Sequence, residues 1–120
     1  MELRLVGSEM CIRDRLRREG IMIVVNAKAK TTSENILNLK NVIFDLEQET
    51  LKEKGCLDYA FSADINNPNV MRITELWEDL QSLKDHLETE HVAVFREEMS
   101  KNPIDVEAHF YESEEIPYPG

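Results

Sequence analysis

The sequence is short of several features that define whole classes of protein. Its 120 residues contain two cysteines, Cys11 and Cys56, with neither CxxC nor metal-ligand spacing, so no disulfide framework is indicated. No apolar run approaches the ~20 residues of a membrane-spanning helix, and the first 20 residues lack the apolar core of a secretion signal. The net charge of −10 makes nucleic acid and anionic membranes poor partners. These absences predict a cytoplasmic protein that binds neither.

The remaining composition fits one ordinary globular domain. A length of 120 residues and a hydrophobic fraction of 42% support a single core. Residues 1–20 carry a net charge of +1, so the other hundred carry −11. Their string VGSEMCIRDR resembles a translated sequencing-adapter read, and we expect residues 1–20 to be a non-native or disordered extension; a native basic arm is the alternative. A short helix over 11–18 would be its only regular structure. The domain is predicted over 21–113, with a Pro-rich tail over 114–120.

The first half of the domain predicts a strand followed by a helix. Residues 21–30 are rich in β-branched side chains and begin apolar on both faces, which indicates a central strand. A helix is then predicted over 34–53, where apolar residues recur at steps of three and four: Ile36, Leu39, Ile43 and Leu46. Thr31 with Glu34 has the spacing of a capping box, and Thr32 and Ser33 are rival caps. Gly55 ends this helical segment.

The middle of the chain predicts an antiparallel hairpin. Residues 56–65 and 70–78 each alternate between apolar and polar side chains, and the turn sequence NNPN joins them. One face of the first strand would carry Leu57, Tyr59, Phe61, Ala63 and Ile65. One face of the second would carry Met71, Ile73, Glu75 and Trp77.

The last third predicts a broken helix and a final strand. Two apolar stripes follow one another over 79–99, and the step of five residues between Leu87 and Val92 breaks their phase. A restart near Glu88, with Thr89 capping the second piece, accounts for this step. Residues 104–113 alternate again and close the domain as a strand.

The order of elements predicts an α+β fold of the ferredoxin-like type. Strand, helix, strand, strand, helix and strand form the βαββαβ pattern, with one four-stranded antiparallel sheet and the helices on one face. The opposite face of such a sheet stays uncovered and is partly apolar in this sequence. A two-fold homodimer is the simplest way to cover it.

Three stretches together resemble the antibiotic biosynthesis monooxygenase domain family. They are MIVV in the first strand, KEKGCLDYAF after the first helix, and ELWEDLQSLKDHLETEHVAVF across the third strand and the second helix. Within the family, the joint occurrence of GC..Y, E.W and HL.T.H is most similar to the quinol monooxygenase branch. The resemblance implies a dimeric α/β barrel that oxidises small electron-rich aromatics, such as quinols, with dioxygen and without metal or flavin. The family also has isomerase-type and haem-degrading members, and a non-catalytic or isomerase-type ligand-binding stress-response dimer is the alternative.

Two histidines are the candidate bases. His91 matches the family's T.H position and is the first choice, and His86 is the second; either could take the proton of a quinol hydroxyl. Exposed helix histidines without a role are the other interpretation. The two residues lie about 140° apart around an unbroken helix, so they are not expected to form a zinc pair, although a break at Thr89 could let them converge. No metal site is therefore predicted.

Five further residues complete the predicted site. Trp77 is expected either to stack on a planar substrate, as the resemblance implies, or to be a core residue. Glu75, an acid on an apolar strand face, is either a pocket carboxylate that orients His91 or part of an interface ion pair. Asn26 interrupts an apolar strand and matches a ligand-contacting family position. Tyr59 and Phe61 are predicted to line the core or the cavity, so that Asn26, Tyr59, Trp77 and His91 would bound one shared hollow.

Overall fold

The computed structural model describes residues 21–120. The predicted extension over 1–20, including its helix at 11–18, lies outside the described residues. Three helices and four strands follow along the described chain. They are β1 (Ile21–Lys30), α1 (Ser33–Leu51), β2 (Cys56–Ala63), β3 (Val70–Trp77), α2 (Leu80–Leu87), α3 (Glu90–Lys101) and β4 (Asp105–Glu114).

The strands form one antiparallel sheet in the order β2-β3-β1-β4. This confirms the predicted ferredoxin-like arrangement and the central position of β1. Alternate residues of β1 (Ile23, Val25 and Ala29) belong to the same buried core as helix residues such as Leu39 and Phe95. We call this side the helix-covered face and the opposite side the helix-free face.

Helix α1 begins one residue later than the capping-box spacing predicts. Thr32 is the cap, because its side chain accepts a hydrogen bond from the backbone N–H of Asn35 at 3.1 Å. Thr31 instead donates its hydroxyl to the Pro103 carbonyl at 2.7 Å, which ties the start of α1 to the segment before β4. The helix ends at Leu51 rather than at residue 53, so Glu53 lies in the turn that follows.

The predicted break in the last helical segment is confirmed. Helix α2 ends at Leu87, and Thr89 caps α3 by accepting a hydrogen bond from the Val92 N–H. The hydroxyl of Thr89 also donates to the His86 carbonyl at 2.7 Å, so one side chain both ends α2 and begins α3. His86 therefore lies in the last turn of α2, and His91 lies in the first turn of α3.

A β-bulge changes the faces predicted for β2. Cys56 pairs with Trp77, but the next aligned pair joins Asp58 to Leu76, so the chain gains one residue at Leu57. Cys56 consequently packs against the same core as Tyr59, although the unbroken alternation predicted for this strand would put the two residues on opposite faces. The strand also ends at Ala63, two residues earlier than predicted.

Strand β4 is open to solvent on both of its faces. On its helix-covered face, Val106 and Phe110 are 44% and 59% exposed, and on the other face Tyr111 is 50% exposed. Leaving such side chains in water forgoes the free energy that apolar burial provides. Among residues 21–120, no helix is both long enough and apolar enough to cross a membrane.

Replacing Thr89 with Ala should destabilise the fold by about 1 kcal/mol, because α3 loses its capping oxygen. Thr32→Ala is the matched control, since it removes the cap of α1 and should have a similar cost. Only Thr89→Ala should also shift the NMR signals of the His86 and His91 rings, which lie on either side of the break. Equal ring shifts in both variants would contradict the proposed role of the break. Urea denaturation measures the stability change.

Candidate functional site

Glu53, His86 and His91 meet beside the end of β3, and we refer to them as the Glu53 cluster. One carboxylate oxygen of Glu53, Oε2, accepts hydrogen bonds from His86 Nδ1 at 2.8 Å and from His91 Nε2 at 2.6 Å. The side chains are 14%, 3% and 21% exposed for Glu53, His86 and His91 respectively. Two histidines from neighbouring helices therefore share one partly buried carboxylate, which comes from a turn 33 and 38 residues earlier in the chain.

The helix break explains how two histidines five residues apart can face each other. On a continuous helix the side chains would diverge, as the sequence pattern predicts. Thr89 interrupts the helix between them, and the two imidazole ring centroids are 6.0 Å apart. The convergence that a break at Thr89 could allow is thus present in the structure.

Aromatic side chains pack against the inner side of the cluster. The ring of His86 lies 4.8 Å from the Trp77 ring and 5.2 Å from the Tyr59 ring, measured between centroids. Trp77 is fully buried, and His86 and Tyr59 are also buried. These contacts fix the orientation of the His86 ring.

The half-buried carboxylate of Glu75 accepts a hydrogen bond from Trp77. The indole Nε1–H donates to Glu75 Oε1 at 2.9 Å, which meets the requirement that a buried polar atom be paired. Burial raises the pKa of Glu75 above its ordinary value, and the indole hydrogen bond opposes that shift. Glu75 makes no hydrogen bond to His91 in the described residues, so the structure does not show the predicted orienting contact.

The same burial keeps two neighbouring groups protonated. The pKa of the Tyr59 hydroxyl is raised, first by burial and then by the nearby carboxylates of Glu75 and Glu53. Burial, reinforced by Glu53 and Asp58, raises the pKa of the Cys56 thiol to about 12. Tyr59 therefore remains a neutral hydroxyl at neutral pH, and Cys56 has little thiolate to act as a nucleophile.

Glu53 is absent from the residues that the sequence patterns predict. The helical pattern predicted over 34–53 includes Glu53, so its acidic side chain is interpreted as one more solvent-facing residue of that helix. The sequence feature that could have located Glu53 is Gly55, two residues later, because glycine readily adopts the positive φ, here +84°, that this turn requires. The Gly55 carbonyl accepts from the Glu78 N–H at 2.8 Å, so this turn lies against the end of β3 and next to Trp77.

One member of the cluster reaches the surface. His91 lines a groove of about 290 Å³ between α1 and α3, which we call the His91 groove. Its other lining residues are Val42, Asp45, Leu46, Glu49, Glu90 and Val94. The groove therefore combines an apolar floor with three carboxylates, and its size is near the lower end for small-molecule sites.

The predicted shared hollow is wrong in two respects. Asn26 is exposed on the helix-free face, because strand residues alternate, and it lines a separate groove of about 380 Å³ with residues such as Lys28 and His109. Tyr59 and Trp77 do lie on the same side as His91, but the His86 ring fills the space in front of them. Trp77 consequently packs as a core residue and not as an open wall for a substrate.

Phe61 lies at a third position. It packs edge-to-face against Phe95, with centroids 5.6 Å apart, and it lines a groove of about 670 Å³ between α1 and the β2–β3 hairpin. We call this the Phe61 groove. The other apolar residues in its lining are Ile36, Leu37, Ile43, Phe44, Ala63, Pro68 and Met71. It does not include His91, so the predicted substrate contact and the predicted base belong to different grooves.

The fold and the cluster define a small ferredoxin-like α+β protein with a buried carboxylate–histidine group, and comparison with known proteins places it further. The profile of the antibiotic biosynthesis monooxygenase family matches residues 22–98, well over half of the chain. The chain belongs to this family. No curated protein matches the sequence significantly.

Solved structures with the same fold support this membership. A protein from Methanosarcina mazei is 28% identical, with a TM-score of 0.74 over 82% of this chain and 99% of its own. A candidate antibiotic biosynthesis monooxygenase from Deinococcus radiodurans is 25% identical, with a TM-score of 0.73 over 78% of this chain and 94% of its own. A protein of unknown function from Bacteroides thetaiotaomicron, described as a possible oxidoreductase, is 22% identical with a TM-score of 0.71 over 78% and 99%, and shows the fold alone.

Replacing Glu75 with Gln should stabilise the protein increasingly as the pH rises. Because the folded state raises the pKa of Glu75 above the ordinary value of 4.5, it holds this proton more tightly than the unfolded state does. The unaltered protein therefore loses stability as the pH rises from 4.5 through the raised pKa of folded Glu75. The amide that replaces this carboxyl in the variant does not ionise, so the variant does not lose this stability. Thermal unfolding of both proteins between pH 4 and pH 8 measures the difference. The exposed-site control Glu97→Gln should show no such trend, and a trend in both variants would contradict the assignment.

Proposed function

We propose that the protein oxidises a small electron-rich aromatic, such as a quinol, with dioxygen, and that His91 is the base. The observation that carries this proposal is the Glu53–His91 hydrogen bond of 2.6 Å at the edge of a groove of substrate size. Family membership supports the reaction class. The particular substrate and the independence from metal or flavin are expectations from the quinol branch.

Glu53 prepares His91 for proton transfer. Its carboxylate accepts a hydrogen bond from the Nε2–H of His91, which keeps the ring proton on Nε2 and leaves the lone pair on Nδ1. No hydrogen bond to Nδ1 is seen among residues 21–120. A quinol hydroxyl in the His91 groove can therefore give its proton to Nδ1, and the carboxylate stabilises the imidazolium that forms.

Deprotonation is the step for which the protein is needed. A quinolate donates one electron to dioxygen, and recombination of the two radicals forms the new C–O bond. One oxygen atom enters the ring and the other leaves as water, with the four electrons coming from the substrate. The groove holds the ring and limits water, while general-base help contributes on the order of 10²–10⁴ in rate.

The charge of the groove selects the form in which the substrate enters. Asp45, Glu49 and Glu90 line it together with His91. These carboxylates repel an anion that arrives from solvent, so a neutral quinol binds better than its anion. The proton is then removed inside the groove by His91 and not in solution.

His91→Ala should lower the rate of quinol-dependent oxygen uptake by about 10²- to 10⁴-fold, because the base is lost. The measurement mixes purified protein with menadiol in air and follows oxygen with an electrode. His109→Ala is the histidine-removal control, since this residue lies on the helix-free face away from the Glu53 cluster, and light scattering checks that the variant keeps the oligomeric state of the unaltered protein. Menadiol binding without oxygen uptake in the unaltered protein would overturn the proposal and favour the non-catalytic or isomerase-type binding protein.

We also propose that the protein acts as a cytoplasmic homodimer that uses its helix-free face. Tyr111, Val24 and Leu76 are aligned neighbours across β4, β1 and β3, which makes an apolar row on that face. Tyr111 is half-exposed, and no helix from residues 21–120 covers this side of the sheet. A second copy, placed by a two-fold axis, would bury the same row on both chains.

Tyr111→Glu should convert the dimer to a monomer, because it places a charge in the centre of this row. Light scattering after size-exclusion chromatography measures the mass. Phe44→Glu is the matched control, since Phe44 is similarly exposed at 58% but lies on α1, in the lining of the Phe61 groove and away from the helix-free face. A monomeric unaltered protein, or loss of the dimer in the control alone, would contradict the proposed interface.

A further inference from the structure

We propose that the Glu53 cluster also binds a divalent transition-metal ion such as Zn²⁺ or Co²⁺. One atom from each of Glu53, His86 and His91 can act as a ligand, and the three atoms all lie within 4.8 Å of one another. Two imidazole nitrogens and one carboxylate oxygen form the ligand set of several zinc and iron sites in proteins. This inference does not depend on the proposed oxidation and goes beyond it.

The three ligands are already held close to a binding geometry. In a tetrahedral site with bonds of 2.0–2.1 Å, neighbouring ligand atoms are about 3.3 Å apart. The two nitrogens are now 2.8 Å and 2.6 Å from Glu53 Oε2. To admit the ion, Glu53 Oε2 would move outward by well under 1 Å, and the two nitrogens, which lie within 4.8 Å of each other, would have to lie about 3.3 Å apart. Glu53 lies in a turn rather than inside a helix, which permits its part of this movement.

Surrounding contacts fix the two rings as the outer contacts of a metal site do. His86 packs between the rings of Trp77 and Tyr59, and its backbone carbonyl accepts from the Thr89 hydroxyl. His91 is held by the first turn of α3, which Thr89 caps. Because both rings are already held in place, their side chains lose little conformational entropy when the ion binds.

The charge around the entrance favours a cation. The ion would enter through the His91 groove, where Asp45, Glu49 and Glu90 supply three carboxylates. The chain as a whole carries −10. The field of these groups raises the local concentration of cations. The nitrogen-rich ligand set favours Zn²⁺ or Co²⁺ over Ca²⁺ and Mg²⁺, which prefer oxygen ligands.

Metal binding and base chemistry make opposite demands on His91. A metal ion on Nε2 leaves the remaining proton of the neutral ring on Nδ1, so that Nδ1 can no longer accept a proton. The metal-loaded protein should therefore lack the base that the proposed oxidation needs. Metal binding is measurable without any substrate, so failure of one proposal is distinguishable from failure of the other.

The test is a titration of the chelator-treated full chain with CoCl₂, followed by the fluorescence of Trp77. This residue is the only tryptophan of the sequence, and its ring lies 4.8 Å from that of His86. We expect one Co²⁺ per chain, with quenching of the fluorescence as the site fills. ZnCl₂ should bind with the same stoichiometry, displace Co²⁺ and raise the melting temperature.

His91→Ala and Glu53→Gln should each weaken Co²⁺ binding by about tenfold or more, while the exposed-histidine control His109→Ala should bind as the unaltered protein does. Both variants change side chains that are less buried than His86, and circular dichroism checks that they fold. Co²⁺ that leaves Trp77 fluorescence unchanged would overturn the proposal, as would unaltered affinity in His91→Ala and Glu53→Gln.

Discussion

Two hydrogen bonds to one oxygen of Glu53 hold together the part of this molecule in which chemistry can occur. They join the turn after α1 to the end of α2 and the start of α3. A carboxylate that is only 14% exposed loses much of its hydration, and the two imidazole donors compensate for that loss. The packing of His86 against Trp77 and the access of His91 to solvent both depend on this arrangement.

The sheet supplies a rigid base for these contacts. Trp77 ends β3 and pairs in register with Ile23 of β1 and Cys56 of β2, so its ring is fixed by two neighbouring strands. Glu75, on the same strand face, accepts a hydrogen bond from the indole Nε1–H. A polar atom within the core is thus satisfied locally, and the aromatic ring that faces the histidines keeps one orientation.

The sequence patterns predict most of the fold because its local signals agree with its long-range order. Apolar spacing locates α1, and the five-residue step before Val92 locates the break that Thr89 caps. The site is harder to predict, because its members come together only in three dimensions. Glu53 looks like a solvated helix residue, Asn26 looks like a pocket amide until the strand face is known, and the bulge at Leu57 has no clear signal in one sequence.

The bulge in β2 has a consequence for how the molecule tolerates oxidants. By adding one residue at Leu57, it turns Cys56 toward the core, where a pKa of about 12 keeps sulfur in its unreactive thiol form. Peroxide attacks thiolates, so the first step toward sulfenic acid is suppressed at this position. Cys56 is therefore expected to stay reduced when the protein meets peroxide, whereas an exposed cysteine with an ordinary pKa would be oxidised.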